Sequence, residues 1–281
     1  MTNDKRGRIM FPWPAARRIA VNAAIVIGAL ATVYFLGTLG LYNLGFVAKN
    51  FPAFLHGAEY TLGLIAIVIP IGFGAGFAFG WGRTSHRWLL HSVSTAYVEF
   101  FRSMPPLVLI VFAWLITTLV VARNPFLSAR IEDVGGFAIS MSVVALSLHS
   151  GSYQAEIIRA GINSVPSGQH EAATAIGLSR GQSVRYVVLP QMFRISLPAL
   201  GNEFASVIKD TSLISAVGAV DLMFQGTNLA SLTAVSGHLG DLTLIWLIVA
   251  FIYLLMTLLV SRTLQGIERR YRVPGLEAAQ L

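Results

Sequence analysis

An all-α integral membrane protein with about six transmembrane helices is the fold class predicted, on three observations. The 281-residue chain is 55% hydrophobic and only 12% charged, with a mean hydropathy of +0.68, far too apolar for a soluble domain of this size. Six apolar segments reach the roughly 20 residues that a helix needs to cross a hydrocarbon core. None alternates as a barrel strand would, and lipid offers unpaired backbone no partner, so the spans are helices.

In chain order the expected spans cover residues 19–41, 57–81, 93–121, 137–158, 193–220 and 242–264. The first follows Arg17 and Arg18 and contains Ala29-Leu30-Ala31, which resembles a signal-peptide cleavage site. Its apolar run continues past that point, so an uncleaved N-terminal anchor is expected. In the second, Gly72, Gly76 and Gly80 form a small-residue ridge that lets another helix approach closely. Gly72, Gly74 and Gly76 imitate a nucleotide-binding motif, but no strand precedes them, and packing is expected instead. Pro70, the pair Pro105 and Pro106, and Pro198 each remove a backbone donor and introduce a kink.

The fourth span carries a polar patch, His149, Ser150, Tyr153 and Gln154, suited to hydrogen bonds between helices. The fifth carries Glu203, Lys209 and Asp210. Ionisable residues inside a span face a cavity or a partner, so these three are candidates for a solute path or for ion pairs that fix helix contacts. Glu203 and Asp210 share a side, whereas Lys209 and Asp210 diverge by roughly 100° around the helix. Glu99 with Arg102, and Glu156 with Arg159, are spaced as i,i+3 ion pairs.

Charge sorts the connecting segments. With the N-terminus inside, the outer segments hold only Lys49, Arg123 and Arg130, and the other loop cations, Arg83, Arg87, Arg180 and Arg185 among them, lie inside. Both termini are therefore expected in the cytoplasm. The net charge of +7 belongs to these loops rather than to a nucleic-acid surface. The outer loops, including residues 223–241, are too short for a solute-binding domain, so a captured solute must be delivered by another protein.

Between the fourth and fifth spans lies a polar cytoplasmic insert. Ser167 is expected to cap a helix of about nine residues, with Glu171 in its first turn and Gly177 as its left-handed terminator. Such a helix is marginal alone and needs a docking partner. Ala172, Ala173 and Ile176 are expected to share a face, and the alanines would let the backbone sit deep in a groove. Ser179 and Gln182 make a capping box for a second helix with an apolar stripe of Val184, Val187 and Val188, ended by Pro190. Spacing alone leaves open a plain amphipathic connector on the membrane surface.

The insert resembles the EAA loop of ABC importer permeases, on Glu171, Ala172, Ala173, Gly177, Leu189 and Pro190; Val187 stands where Ile is usual. Similarity to the polar amino-acid branch of that family extends through Tyr60-Thr61-Leu62, Glu99-Phe100-Phe101-Arg102, Ala155-Glu156-Ile157-Ile158-Arg159, Leu197-Pro198-Ala199-Leu200-Gly201-Asn202-Glu203 and Lys209-Asp210-Thr211-Ser212-Leu213. Ser103-Met104-Pro105 departs from the family's usual Gly-Thr-Pro and alters packing or the gate.

The resemblance implies a five-helix permease core (MetI-like) over residues 56–270, with a coupling loop at 164–190. Residues 1–55 become a cytoplasmic tail and extra anchor helix, and 271–281 a C-terminal tail. It also implies an inner-membrane location and three partners: a cytoplasmic ABC ATPase dimer, a second permease copy or similar chain, and an extracytoplasmic amino-acid-binding protein. ATP and Mg would be used by the ATPase, with no cofactor bound by this chain.

No GxxxxGK[ST] loop occurs, and the lysines are only Lys5, Lys49 and Lys209, so the chain is not itself the ATPase. With no cysteine, no HExxH spacing and no Gly-x-Ser-x-Gly elbow, neither a catalytic nor a metal site is expected. The rival function is a secondary transporter or channel that uses Glu203, Lys209 and Asp210 directly.

Overall fold

The computed structural model describes residues 44–235 and 239–271, with isolated helical positions between 20 and 38. The expected first span, residues 19–41, lies largely outside the described residues, as does the C-terminal tail. Among the described residues every regular element is helical.

The first long helix, α1 (Leu44–Gly82), begins well before residue 57 and runs through Pro52 and Pro70. At 39 residues it is about 58 Å long, more than the bilayer core requires. The third expected span is not one helix. It is divided into α2 (Trp88–Ser103) and α3 (Pro106–Arg123) by extended backbone at Met104 (φ −99°, ψ 137°) and Pro105 (φ −59°, ψ 134°). Each proline drives the residue before it out of the helical region, and Pro106 then suits the first position of the next helix. A short turn, α4 (Pro125–Ser128), is capped by the Asn124 side chain, which accepts from the Phe126 and Leu127 amides at 3.0 and 3.3 Å. Asp133 caps α5 (Val134–Asn163), accepting from the Gly136 amide at 2.9 Å.

A hairpin of α6 (Ser167–Ala175) and α7 (Arg180–Ser183) follows. A π-helical segment, Val184–Val188, joins α7 to α8 (Leu189–Asp210). The fifth expected span does not reach residue 220 as an α-helix: a 3-10 segment, Thr211–Val217, takes over and Gly218 turns the chain at φ +90°. The stretch 223–241, expected as an outer loop, is mostly helix α9 (Leu222–Val235). Asp221 explains it, because its carboxylate accepts from the Phe224 amide at 2.8 Å and caps the new helix. The last helix is α10 (Leu239–Tyr271). Parts of α1, α3, α5 and α10 are long and apolar enough to cross a membrane, at Ala48–Gly82, Pro106–Arg123, Val134–Asn163 and Gly240–Ile267.

At the centre stands α5, packed along α1, α2, α3 and α8. The glycine ridge of α1 meets it as expected: a Cβ on Gly76 would lie 2.7 Å from Gln154 Cβ, and one on Gly80 would lie 2.5 Å from the Ala155 carbonyl oxygen. Hydrogen bonds stitch the same seams, with the Tyr97 hydroxyl on the Leu148 carbonyl at 2.6 Å and Ser142 on the Ile110 carbonyl at 3.0 Å. Leu64, Val68, Ile110, Val143, Leu146, Val207 and Ile214 fill the space between. A second core of Phe54, Leu222, Ala230, Ile245 and Val249 seats α9 between α1 and α10.

Candidate functional site

The hairpin is built by local rules, with three departures from expectation. Pro166, not Ser167, occupies the N-cap position of α6, so no side-chain cap forms there. Starting one residue early also moves Glu171 out of the first turn, and its charge is exposed rather than set on the helix N-terminus. Pro190 does not end the second helix. The π segment widens the helix by one residue, so that the Leu189 amide reaches Val184 O, and Pro190 sits near the start of α8, where no amide is required.

The turn itself matches expectation. Gly177 adopts φ +86°, a region closed to most L residues. Its amide donates to Thr174 O at 2.9 Å, while the Leu178 amide donates to Ala173 O at 3.1 Å, the paired bonds of a Schellman motif. Two residues later the Ser179 and Gln182 box closes, with the Ser179 amide on Gln182 Oε1 at 2.8 Å and the Gln182 amide on Ser179 Oγ at 3.4 Å.

The expected apolar face splits in two. Ala173 is only 3% exposed and turns inward, where His170 Nδ1 and the buried Ser183 Oγ are hydrogen-bonded at 2.7 Å. Gln191 Nε2 donates to Gln169 Oε1 at 3.3 Å and ties α8 to α6. Ala172 faces outward with Ile176, which is 79% exposed, and Tyr186 is 61% exposed on the second limb. Leu189 is half-buried, Val187 likewise, and Pro190 is exposed. Of the EAA-type residues, then, Glu171, Ala172 and Gly177 form an outer surface, while Ala173 and Leu189 support it.

Within the membrane region the polar patch of α5 is committed to neighbouring helices. Ser150 Oγ donates to Glu203 Oε1 at 2.8 Å, and Gln154 Nε2 donates to Ser150 Oγ at 3.0 Å. His149 Nδ1 lies 2.9 Å from the Phe101 carbonyl, and must donate because a carbonyl only accepts. That carbonyl is free because its helical partner would be the amide of Pro105, which has no N–H. The Arg102 guanidinium lies 5.2 Å from the Tyr153 ring centroid. Asp210 is close enough to Glu203, His149 and Lys209 to interact electrostatically, and Lys209 itself is exposed. Glu203 and Asp210 thus lie within electrostatic reach of each other, as their spacing suggested, and Lys209 is the exposed member of the three.

Sequence reasoning missed one cation. The expected pair of Glu156 with Arg159 forms, but Glu99 does not take Arg102. Arg83 binds it instead at 3.3 Å and also binds Glu156 at 2.8 Å. The available signal was position: Arg83 directly follows the last residue of α1. Among the described residues no group of three or more His, Asp or Glu side chains is disposed to hold a metal.

Comparison with known proteins places this geometry. The glutamine transport system permease protein GlnP of Escherichia coli (strain K12) is 34% identical over 222 residues, covering 79% of this chain and 94% of that protein. The L-cystine transport system permease protein TcyB of Bacillus subtilis (strain 168) is 34% identical over 244 residues, covering 84% and 97%. The crystal structure of an amino acid ABC transporter with histidines superposes with a TM-score of 0.68 at 32% identity, covering 82% of this chain and 99% of that one. An inward-facing MetNI methionine ABC transporter shares the fold, with a TM-score of 0.64 at 20% identity over 80% of this chain and 99% of that one. Residues 69–273 match the family described as binding-protein-dependent transport system inner membrane component, and the chain belongs to that family.

Proposed function

We propose that this chain is the permease subunit of an ABC importer for a polar amino acid, driven by a separate cytoplasmic ATPase dimer. The hairpin carries the reading: two short helices locked by a Schellman turn and a capping box present Glu171, Ala172 and Ile176 to solvent. An element this small is held by its own caps, so a push on its outer face is passed to α5 and α8 rather than absorbed. Residues 164–190 act as the coupling loop, within a permease domain at 56–270. Glu171, Ala172, Gly177 and the exposed Pro190 shape the contact, with Ala173 and Leu189 behind it.

The amino-acid cargo rests on relatives whose names specify glutamine and cystine, and on the solved amino acid transporter. A second copy or similar chain completes the pathway, an extracytoplasmic binding protein supplies the solute, and ATP and Mg are bound by the ATPase. Both termini lie in the cytoplasm, as the cation asymmetry requires. Glu203, Asp210 and Lys209 border the solute path on α8. A secondary transporter finds no support, since none of these relatives is described as one.

Reconstitution into proteoliposomes tests this reading. Uptake of labelled L-glutamine, L-cystine or L-glutamate is expected only with ATPase, binding protein and ATP all present. Glu171→Gln should lower uptake while the chain still inserts and the ATPase still turns over. Uptake driven by an ion gradient without ATP would overturn the assignment.

A further inference from the structure

We propose that Arg83 is a positioning residue that binds the cytoplasmic ends of α1, α2 and α5 into one lever on the coupling hairpin; this rests on the coupling reading above. Its amide continues the last turn of α1, donating to Phe79 O at 3.0 Å, and its carbonyl accepts from His91 Nδ1 on α2 at 2.9 Å. Its guanidinium forks, with Nη2 on Glu99 of α2 at 3.3 Å and Nη1 on Glu156 of α5 at 2.8 Å. The other carboxylate oxygen of Glu156 is held by Arg159. Arg83 is 14% exposed and Glu156 27%, so that arm is partly shielded from water and less screened than a surface pair, whereas the Glu99 arm is open to solvent.

Steric contact at the same place makes the clasp stiff. Gly82 leaves no room for a Cβ against Ser94 of α2, and Gly80 none against Ala155 of α5. From Glu156, α5 runs unbroken to Asn163, about 10 Å of helix, and Ser167 opens the hairpin shortly after. Movement of the hairpin that is carried along α5 therefore meets the Arg83 clasp within about three turns of helix, while α8 takes the other share directly. A guanidinium reaches two carboxylates at once through donors fixed in a planar fork; an ammonium has three donors but gathers them on one small nitrogen, so it holds the two less well in this geometry.

The test uses the full permease, ATPase and binding-protein complex in proteoliposomes, with labelled L-glutamine, L-cystine or L-glutamate, whichever the wild type moves. The readout is amino acid imported per ATP hydrolysed, alongside the yield of assembled complex. Arg83→Gln should assemble normally and lower that ratio at least about fivefold, the lower end of typical coupling free energies. Arg83→Lys should fall between it and the wild type. Arg83→Gln with Glu156→Gln should lower the ratio by less than the product of the single changes, because the Arg83–Glu156 bond is lost in both, although each also removes a bond of its own, to Glu99 or to Arg159. A ratio within about twofold of wild type for Arg83→Gln, below the range of typical site coupling, or a double variant equal to the product of the singles, overturns the proposal. Should Arg83→Gln fail to assemble, Glu99→Gln decides: its side chain is 62% exposed and it removes a single arm, so a lowered ratio supports the lever and an unchanged one overturns it. Failure of the wild type to use ATP at all would instead overturn the coupling reading.

Discussion

The hairpin and the seam between α1 and α5 are both rich in small residues, and they use them for opposite purposes. In the seam, Gly72, Gly76 and Gly80 remove side chains so that two helices meet backbone to backbone. In the hairpin, Gly168, Gly177 and Gly181 have nothing within 4 Å of a built Cβ, and Gly177 alone is required, for its positive φ. The seam is determined by what lies across from it. The hairpin is determined by its own next few residues, which leaves its outer face free for a partner.

The comparison breaks or sharpens under four substitutions. Gly80→Leu should have the largest effect, because the side chain meets backbone that cannot move aside; overpacking of this kind costs about 1–3 kcal/mol or more, read as a lowered thermal midpoint of the detergent-solubilised protein. A midpoint unchanged from wild type would mean that the seam is loose. Gly177→Ala should cost about 1–2 kcal/mol locally, since only its backbone conformation is strained. Transport per ATP should fall while the global midpoint holds; a fall in both would tie the hairpin to the core. Ser179→Ala should remove roughly 1 kcal/mol of cap energy, seen as faster amide exchange across residues 179–183. Gly168→Ala should have the smallest effect and the opposite sign, slowing exchange in α6 by up to about 1 kcal/mol because helix propensity rises in open space. Destabilisation there would show that the outer face is already occupied.

What was legible followed the same division. The left-handed turn at Gly177, the box at Ser179 and the glycine ridge all came from patterns that need only a few residues or one helical period. The placement of Glu203 and Asp210 on one side of α8 came from helical spacing as well. Other features required a partner distant in the chain. Ala173 looks identical to Ala172 in sequence, yet one is buried and the other is exposed. Pro190 reads as a helix stop, and only the π segment before it lets the chain continue. The tandem prolines were visible and break the span by local rules, but only the structure showed that His149 of α5 pairs with the Phe101 carbonyl left over.

By itself the sequence determined the membrane setting and the local architecture of the hairpin turn, because hydropathy and helix capping act over short distances along the chain. Only the tertiary structure decided that α9 docks where a loop was expected, that Arg83 rather than Arg102 holds Glu99, and which alanine is exposed. Those outcomes depend on side chains many residues apart meeting across packed helices, and periodicity alone does not specify which neighbour each helix will have.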